Sequence, residues 1–221
     1  MYFHVLADSS EAFVIFIMSY DRYVAICDPL HYSNIFNRKH CLLLASGTWI
    51  SGCLNSLVII IPASHMSFCQ SHTIHQFSCD AKALLNIACA GSKDVHIVIY
   101  AELLIYAVFP FMFCLASYVK IIRVILQIKS KDGRNKAFST CSSHLTIVIM
   151  YFMTGLFVYM MPPSENSDVL EPVFSVLYSV VTPTINPLIY SLRNKDVKSA
   201  LLRLLGGNKV LNSDGEFREM V

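Results

Sequence analysis

From Cys41 to Ile61 the chain runs 21 residues without an Asp, Glu, Lys or Arg, and this kind of stretch recurs. Val173–Leu192 continues the pattern for 20 residues, and Cys141–Met161 carries only His144 among basic and acidic side chains. A hydrocarbon core of roughly 30 Å is crossed by about 20 helical residues, so each run is long enough to span a bilayer. Val95–Val119 makes a fourth run, interrupted by Glu102, and Met1–Ile26 a weaker fifth, with His4, Asp8 and Glu11 ahead of a clean stretch from Ala12 to Tyr20. Within lipid every backbone N–H and C=O must find a partner in its own segment, which makes runs of this length helices; barrel strands would be half as long and alternating. The expected architecture is an all-α membrane protein with spans at about 1–26, 41–61, 95–119, 141–161 and 173–192.

Composition agrees, with 55% hydrophobic and 14% charged residues where a soluble domain carries about 25% charge. Basic residues set the expected orientation. Arg22, Arg38 and Lys39 follow the first span, six more lie between Lys120 and Lys136, and six follow from Arg193 onward. Only Lys82 and Lys93 fall in the loop between the second and third spans, and the loop between the fourth and fifth has no basic residue. Positive loops stay inside, which predicts an outside N-terminus and a cytoplasmic C-terminus. The start lacks the basic region and cleavage site of a secretory leader, so the first helix is expected to insert as an anchor.

Cys69, Cys79 and Cys89 stand ten residues apart in the long loop expected outside, where an oxidising compartment makes them disulfide candidates. Zinc is the competing reading, because His65, His72 and His75 lie close to Cys69, but ten-residue intervals do not match the short ligand pairs of structural zinc sites. No metal, cofactor or nucleic-acid partner is expected, and no nucleophile–base pair, phosphate loop or metal motif points to an enzyme.

Several motifs carry more specific information. Met18-Ser19-Tyr20-Asp21-Arg22-Tyr23-Val24-Ala25-Ile26-Cys27-Asp28-Pro29-Leu30-His31-Tyr32 closes the first apolar run. Trp49 lies in the second and Ser117-Tyr118 near the end of the third. Lys136-Ala137-Phe138-Ser139-Thr140-Cys141-Ser142-Ser143-His144-Leu145 opens the fourth. Pro183-Thr184-Ile185-Asn186-Pro187-Leu188-Ile189-Tyr190-Ser191-Leu192-Arg193-Asn194 ends the fifth. In order and spacing these segments closely resemble the olfactory (odorant) receptors, a branch of the rhodopsin-like G-protein-coupled receptors, across most of residues 1–205.

The resemblance implies a rhodopsin-like helical bundle in which this sequence supplies the third to seventh of seven transmembrane helices and lacks the first two. It implies that Cys69 pairs with Cys89, and that Cys79 pairs with a cysteine four positions before Met1, outside this sequence. It implies a G-protein switch built from Asp21, Arg22, Tyr23, Tyr118, Asn186, Pro187 and Tyr190. In that switch Asp21 holds Arg22 until the sixth family helix swings outward, and Pro183 and Pro187 bend the seventh. Turn counting places a ligand pocket at Val5, Asp8 and Ser9; Glu102, Leu103 and Tyr106; Phe152, Gly155, Leu156 and Tyr159; and Val176 and Ser179. Most of these suit a small volatile odorant. Asp8 and Glu102 suit either a basic odorant or mutual polar pairing, and Glu11 reads as a structural or ion-linked acid.

Residues 194–205 are expected to form an amphipathic helix on the inner membrane face, with Val197, Ala200, Leu201 and Leu204 on one stripe. Residues 206–221 are expected to be a disordered cytoplasmic tail. The function implied is odorant sensing at the plasma membrane through a stimulatory olfactory-type G protein that raises cAMP. A non-signalling truncated or pseudogene product, retained in the endoplasmic reticulum, is the alternative, with a small transporter or channel behind it.

Overall fold

The computed structural model describes residues 1–67, 84–85, 87–89, 93–160, 167–193, 197, 199–201, 209–211 and 217–219. Almost all of them are helical. Helix α1 (Tyr2–Cys27) leads through a short helical turn, α2 (Tyr32–Ile35), into α3 (Arg38–Ser64). Helix α4 (Lys93–Glu102) continues through a π-helical segment, Leu103–Val108, into α5 (Phe109–Leu126). Helix α6 (Lys131–Met160) follows, and α7 (Ser167–Val176) continues through a second π-helical segment, Leu177–Val181, into α8 (Thr182–Arg193).

The helices outrun the apolar runs that announce them, because charged residues at their ends need no lipid. The side chain of Asn37 caps α3 by accepting from the His40 N–H at 3.0 Å, which satisfies one of the donors orphaned at a helix start. Arg38 and Lys39 therefore open the helix ahead of Cys41.

Both π segments sit just before a proline. Proline cannot donate to the carbonyl four residues back, so the helix ahead of it has a bond to redistribute. The Phe109 N–H reaches back five residues to the Leu104 carbonyl ahead of Pro110. The Thr182 N–H does the same to Leu177 ahead of Pro183, and the Thr182 hydroxyl donates to that carbonyl at 2.8 Å. Each wide turn admits one extra residue and rotates every side chain that precedes it.

Four stretches are long and apolar enough to cross a membrane: Arg38–Ser64, Val95–Leu126, Lys131–Met160 and Leu170–Ile189. The remaining long helix, α1, is 26 residues, or roughly 39 Å at 1.5 Å per residue, but its polar residues keep it below that apolarity. Its position accounts for them. Helix α1 packs against α3, α5, α6 and the first π segment, so protein rather than lipid surrounds much of it. Its contact with α3 is close, because a Cβ added at Gly52 would lie 2.6 Å from Ser10 Oγ and 3.0 Å from the Leu6 carbonyl. Small residues at such a crossing let backbones approach in the absence of a hydrophobic drive between helices.

The main core joins α1, α5 and α6 through Ala12, Ile15, Cys114, Tyr118, Ile121, Ile125, Cys141, Ile147, Val148, Tyr151 and Phe152. A smaller cluster around Val5 and Ile59 closes the end near Met1. Outward-facing Leu42, Leu43, Trp49, Ile50, Leu54 and Phe109 are exposed, as lipid-facing residues are in a chain without its bilayer. In the expected 194–205 helix, residues 197 and 199–201 are helical, and the others lie outside the described residues. In the tail, Lys209–Leu211 pairs antiparallel with Phe217–Glu219. A ladder of that size carries little stability alone.

Candidate functional site

Near the N-terminal end of α1 the helices part around a cavity enclosing about 720 Å³ of empty space, its open mouth included. Helix α1 contributes Val5 and, one turn further on, Asp8 and Ser9, together with His4 and Ala12. Glu102, Leu103 and Tyr106 enter from the junction of α4 with the first π segment. Phe152, Gly155 and Tyr159 enter from α6. Nine of the twelve expected pocket residues therefore share one cavity.

Leu156, Val176 and Ser179 do not line it. The extra residue in Leu177–Val181 rotates the register that uniform turn counting assumes, and Tyr178 takes the inward place. Ser179 instead donates to the Ser175 carbonyl at 2.6 Å within its own helix. Leu156 follows Gly155, whose absent side chain makes room for Tyr178: a Cβ there would stand 2.9 Å from the ring.

The cavity also takes residues the sequence did not announce. Asn55 and Ile59 arrive from α3, Ile99 and Ala107 flank Glu102, and Tyr151 joins Tyr178 at the floor. Asn55 carries a legible signal, being an amide in the middle of a charge-free span. Tyr178 carries none, since its direction depends on the π turn.

The polar groups pair in separate sets around the cavity. Ser9 Oγ donates to the Val5 carbonyl at 2.7 Å and accepts from Asn55 Nδ2 at 2.8 Å. The Tyr151 hydroxyl donates to the Asp8 carbonyl oxygen at 2.8 Å and lies 3.3 Å from the Tyr178 hydroxyl. The Tyr106 hydroxyl sits 3.3 Å from Ser51 Oγ, its ring edge-on to Phe13. Glu102 Oε1 is buried with no hydrogen-bond partner among the described residues.

The expected switch residues lie toward the other end of the bundle. Arg22 Nε is 3.5 Å from Asp21 Oδ2, with the two side chains 37% and 22% exposed. At that exposure an ion pair contributes below about 1 kcal/mol. Asp21 has a second partner, the Tyr32 hydroxyl, which donates at 2.8 Å. This bond, held on the loop helix α2, pushes the Tyr32 phenol above its ordinary ionisation range. Lys120 stands 5.5 Å over the Tyr23 ring.

The tighter contacts are buried. Tyr118 and His144 are each 2% exposed, and the tyrosine hydroxyl lies 2.6 Å from His144 Nδ1 with the rings stacked. Asn186 Nδ2 donates to Glu11 Oε1 at 2.6 Å, one residue before Pro187, joining α8 to α1. The Tyr190 side chain, Cys69 and Cys79 lie outside the described residues. Cys89 is disulfide-bonded, and its N–H donates to the Ser67 carbonyl at 2.9 Å. Among the described residues, Cys27, Cys41, Cys53 and Cys114 carry free thiols.

A family model for olfactory receptors matches residues 1–208. The chain belongs to the olfactory receptor family. Human olfactory receptor 2M5 is 41% identical over 209 residues, covering 95% of this chain and 67% of that receptor. Human olfactory receptor 10G7 is 42% identical over 208 residues, 94% of this chain and 66% of that receptor. Olfactory receptor 1 of Rattus norvegicus is 40% identical over 210 residues, 95% and 67%. The chain spans 60–67% of the length of such curated relatives. The family is one of signalling receptors rather than enzymes, and its membership makes this a multi-pass membrane protein with a rhodopsin-like helical bundle.

Proposed function

We propose that this chain forms the ligand-binding and signalling core of an odorant receptor. A small volatile molecule occupies the cavity between α1, α4, α6 and the second π segment, and the far end of the bundle passes the event to a stimulatory G protein that raises cAMP. The observation that carries this reading is the pairing of the cavity with family membership. The plasma membrane is its working location, with the N-terminus outside, in keeping with the basic residues gathered beyond the other end of α1.

Helix α6 supplies the physical connection. Tyr151 and Phe152 line the cavity and belong to the main core, and His144 lies eight residues earlier on the same helix, roughly 12 Å along its axis. A ligand that repositions Phe152 tilts a rigid rod whose other end holds Tyr118. Separating Tyr118 from His144 frees its hydroxyl to meet Arg22, and the bend around Pro187 lets α8 follow. In this scheme the half-exposed Asp21–Arg22 pair is a weak restraint and Tyr118–His144 the strong one. The Cys89 disulfide is assigned to Cys69, whose segment begins beside Ser67, the acceptor of the Cys89 N–H.

The test uses cells expressing the chain with a cAMP reporter and a panel of small volatile compounds. Agonist-driven cAMP is expected in the native chain and absent in Arg22→Ala at equal surface abundance. An undiminished response in the variant would remove Arg22 from the switch, and silence of the native chain to the whole panel would refute the signalling reading.

A further inference from the structure

Glu102 has one carboxyl oxygen that the shell leaves unanswered. Its Oε1 is shut away from solvent with no hydrogen-bond partner among the described residues, although hydroxyls, an amide and phenols stand around it. The Asn55 amide donates to Ser9 and also bonds the Glu102 carboxyl, but leaves Oε1 unmet; the Tyr151 hydroxyl donates to the Asp8 carbonyl, and Tyr106 lies beside Ser51. A second carboxylate, Asp8, lines the same cavity from α1. Among the described residues the lining contains no lysine or arginine, and the basic side chain it does contain, His4, lies a turn from Asp8 on the same helix. The cavity wall is otherwise largely aliphatic and aromatic.

An unpartnered carboxyl oxygen beside an apolar cavity within a membrane protein is costly to maintain unless something in the cavity answers it. A metal ion is a poor match, since among the described residues no three His, Cys, Asp or Glu side chains gather to hold one. A compact cation with an apolar tail fits both parts of the lining. We infer that the cavity takes a small aliphatic primary amine in its ammonium form, the nitrogen donating to Glu102 Oε1 and the chain lying against Phe152 and Leu103. This inference rests on the odorant-cavity reading and names its ligand class.

The experiment compares n-hexylamine with n-hexanol, matched in length and differing in the charged head. Each is titrated by saturation-transfer NMR against the chain in zwitterionic lipid nanodiscs, with empty nanodiscs subtracted. The amine is expected to bind roughly tenfold or more tighter than the alcohol, the margin of one charge-assisted hydrogen bond. Glu102→Gln is expected to erase most of that preference, and Asp8→Asn to reduce it less. Equal or tighter binding of hexanol to the native chain would overturn the amine assignment while leaving the cavity a ligand site. A preference unchanged in Glu102→Gln would overturn the role of Glu102. Failure of both probes to bind the native chain would refute this inference and the odorant-cavity reading together.

Discussion

The two ends of the bundle are built to different rules. Around the cavity, Ser9, Asn55, Tyr106, Tyr151 and Glu102 hold a polar shell with space beside it and one carboxylate oxygen unanswered. Around Tyr118 the packing is closed: Ile121, Ile125, Cys114 and Val148 have essentially no accessible surface, and the central hydroxyl meets an imidazole at 2.6 Å. Close-packed regions switch between discrete arrangements instead of deforming gradually, whereas a partly filled pocket can exchange its contents at small cost. The division suits a molecule that must accept ligands at one end and report in two states at the other.

The comparison can be broken most forcefully where the two regions meet. Phe152 lines the cavity and is 1% exposed in the core; Phe152→Ala is expected to cost about 3–5 kcal/mol, read as a lowered melting temperature of the nanodisc-embedded protein. Ile121→Ala in the closed region should cost about 2–5 kcal/mol, while Leu103→Ala beside the cavity should cost clearly less. Equal losses in a thermal-shift comparison of that pair would erase the distinction between the regions.

Smaller effects sharpen it. Gly52→Val presses a side chain into Ser10 and the Leu6 carbonyl and should cost about 1–3 kcal/mol, measurable by resistance to SDS-induced unfolding. Tyr118→Phe leaves a buried imidazole short of its partner and should cost about 1–2 kcal/mol. Tyr106→Phe, which loses only a 3.3 Å contact with Ser51, should fall near zero in the same assay. Asp21→Asn closes the series, with a stability change below about 1 kcal/mol because its ion pair is half in solvent. A larger loss by calorimetry would mean that the Tyr32–Asp21 bond carries more than its exposure indicates.

Helix α1 shows how far linear reading reaches. His4, Asp8 and Glu11 made it the weakest of the expected spans, and their polarity keeps it outside the four most apolar stretches, while in the folded chain it lies among other helices. The same residues that weaken it as a lipid-facing segment make it useful as a cavity wall and as the anchor for Asn186. Turn counting along regular helix placed Val5, Asp8, Ser9, Phe152, Gly155 and Tyr159 on the cavity, since 3.6-residue periodicity holds without interruption there. It failed at Val176 and Ser179, where a proline downstream widens one turn and rotates the face.

What the sequence determined by itself was the class of molecule: charge-free runs of about 20 residues permit only spanning helices, and motifs such as Asp21-Arg22-Tyr23 and Lys136–Leu145 identify the family independently of any contact. What the tertiary structure decided was partnership. That Tyr118 answers His144 and Asn186 answers Glu11 depends on residues 26 and 175 positions apart meeting, and that Glu102 Oε1 has no partner among the described residues depends on its neighbours missing it. Local hydropathy and spacing set where a helix lies along the chain, but which of its faces meets another is settled by packing and by where each π turn shifts the register.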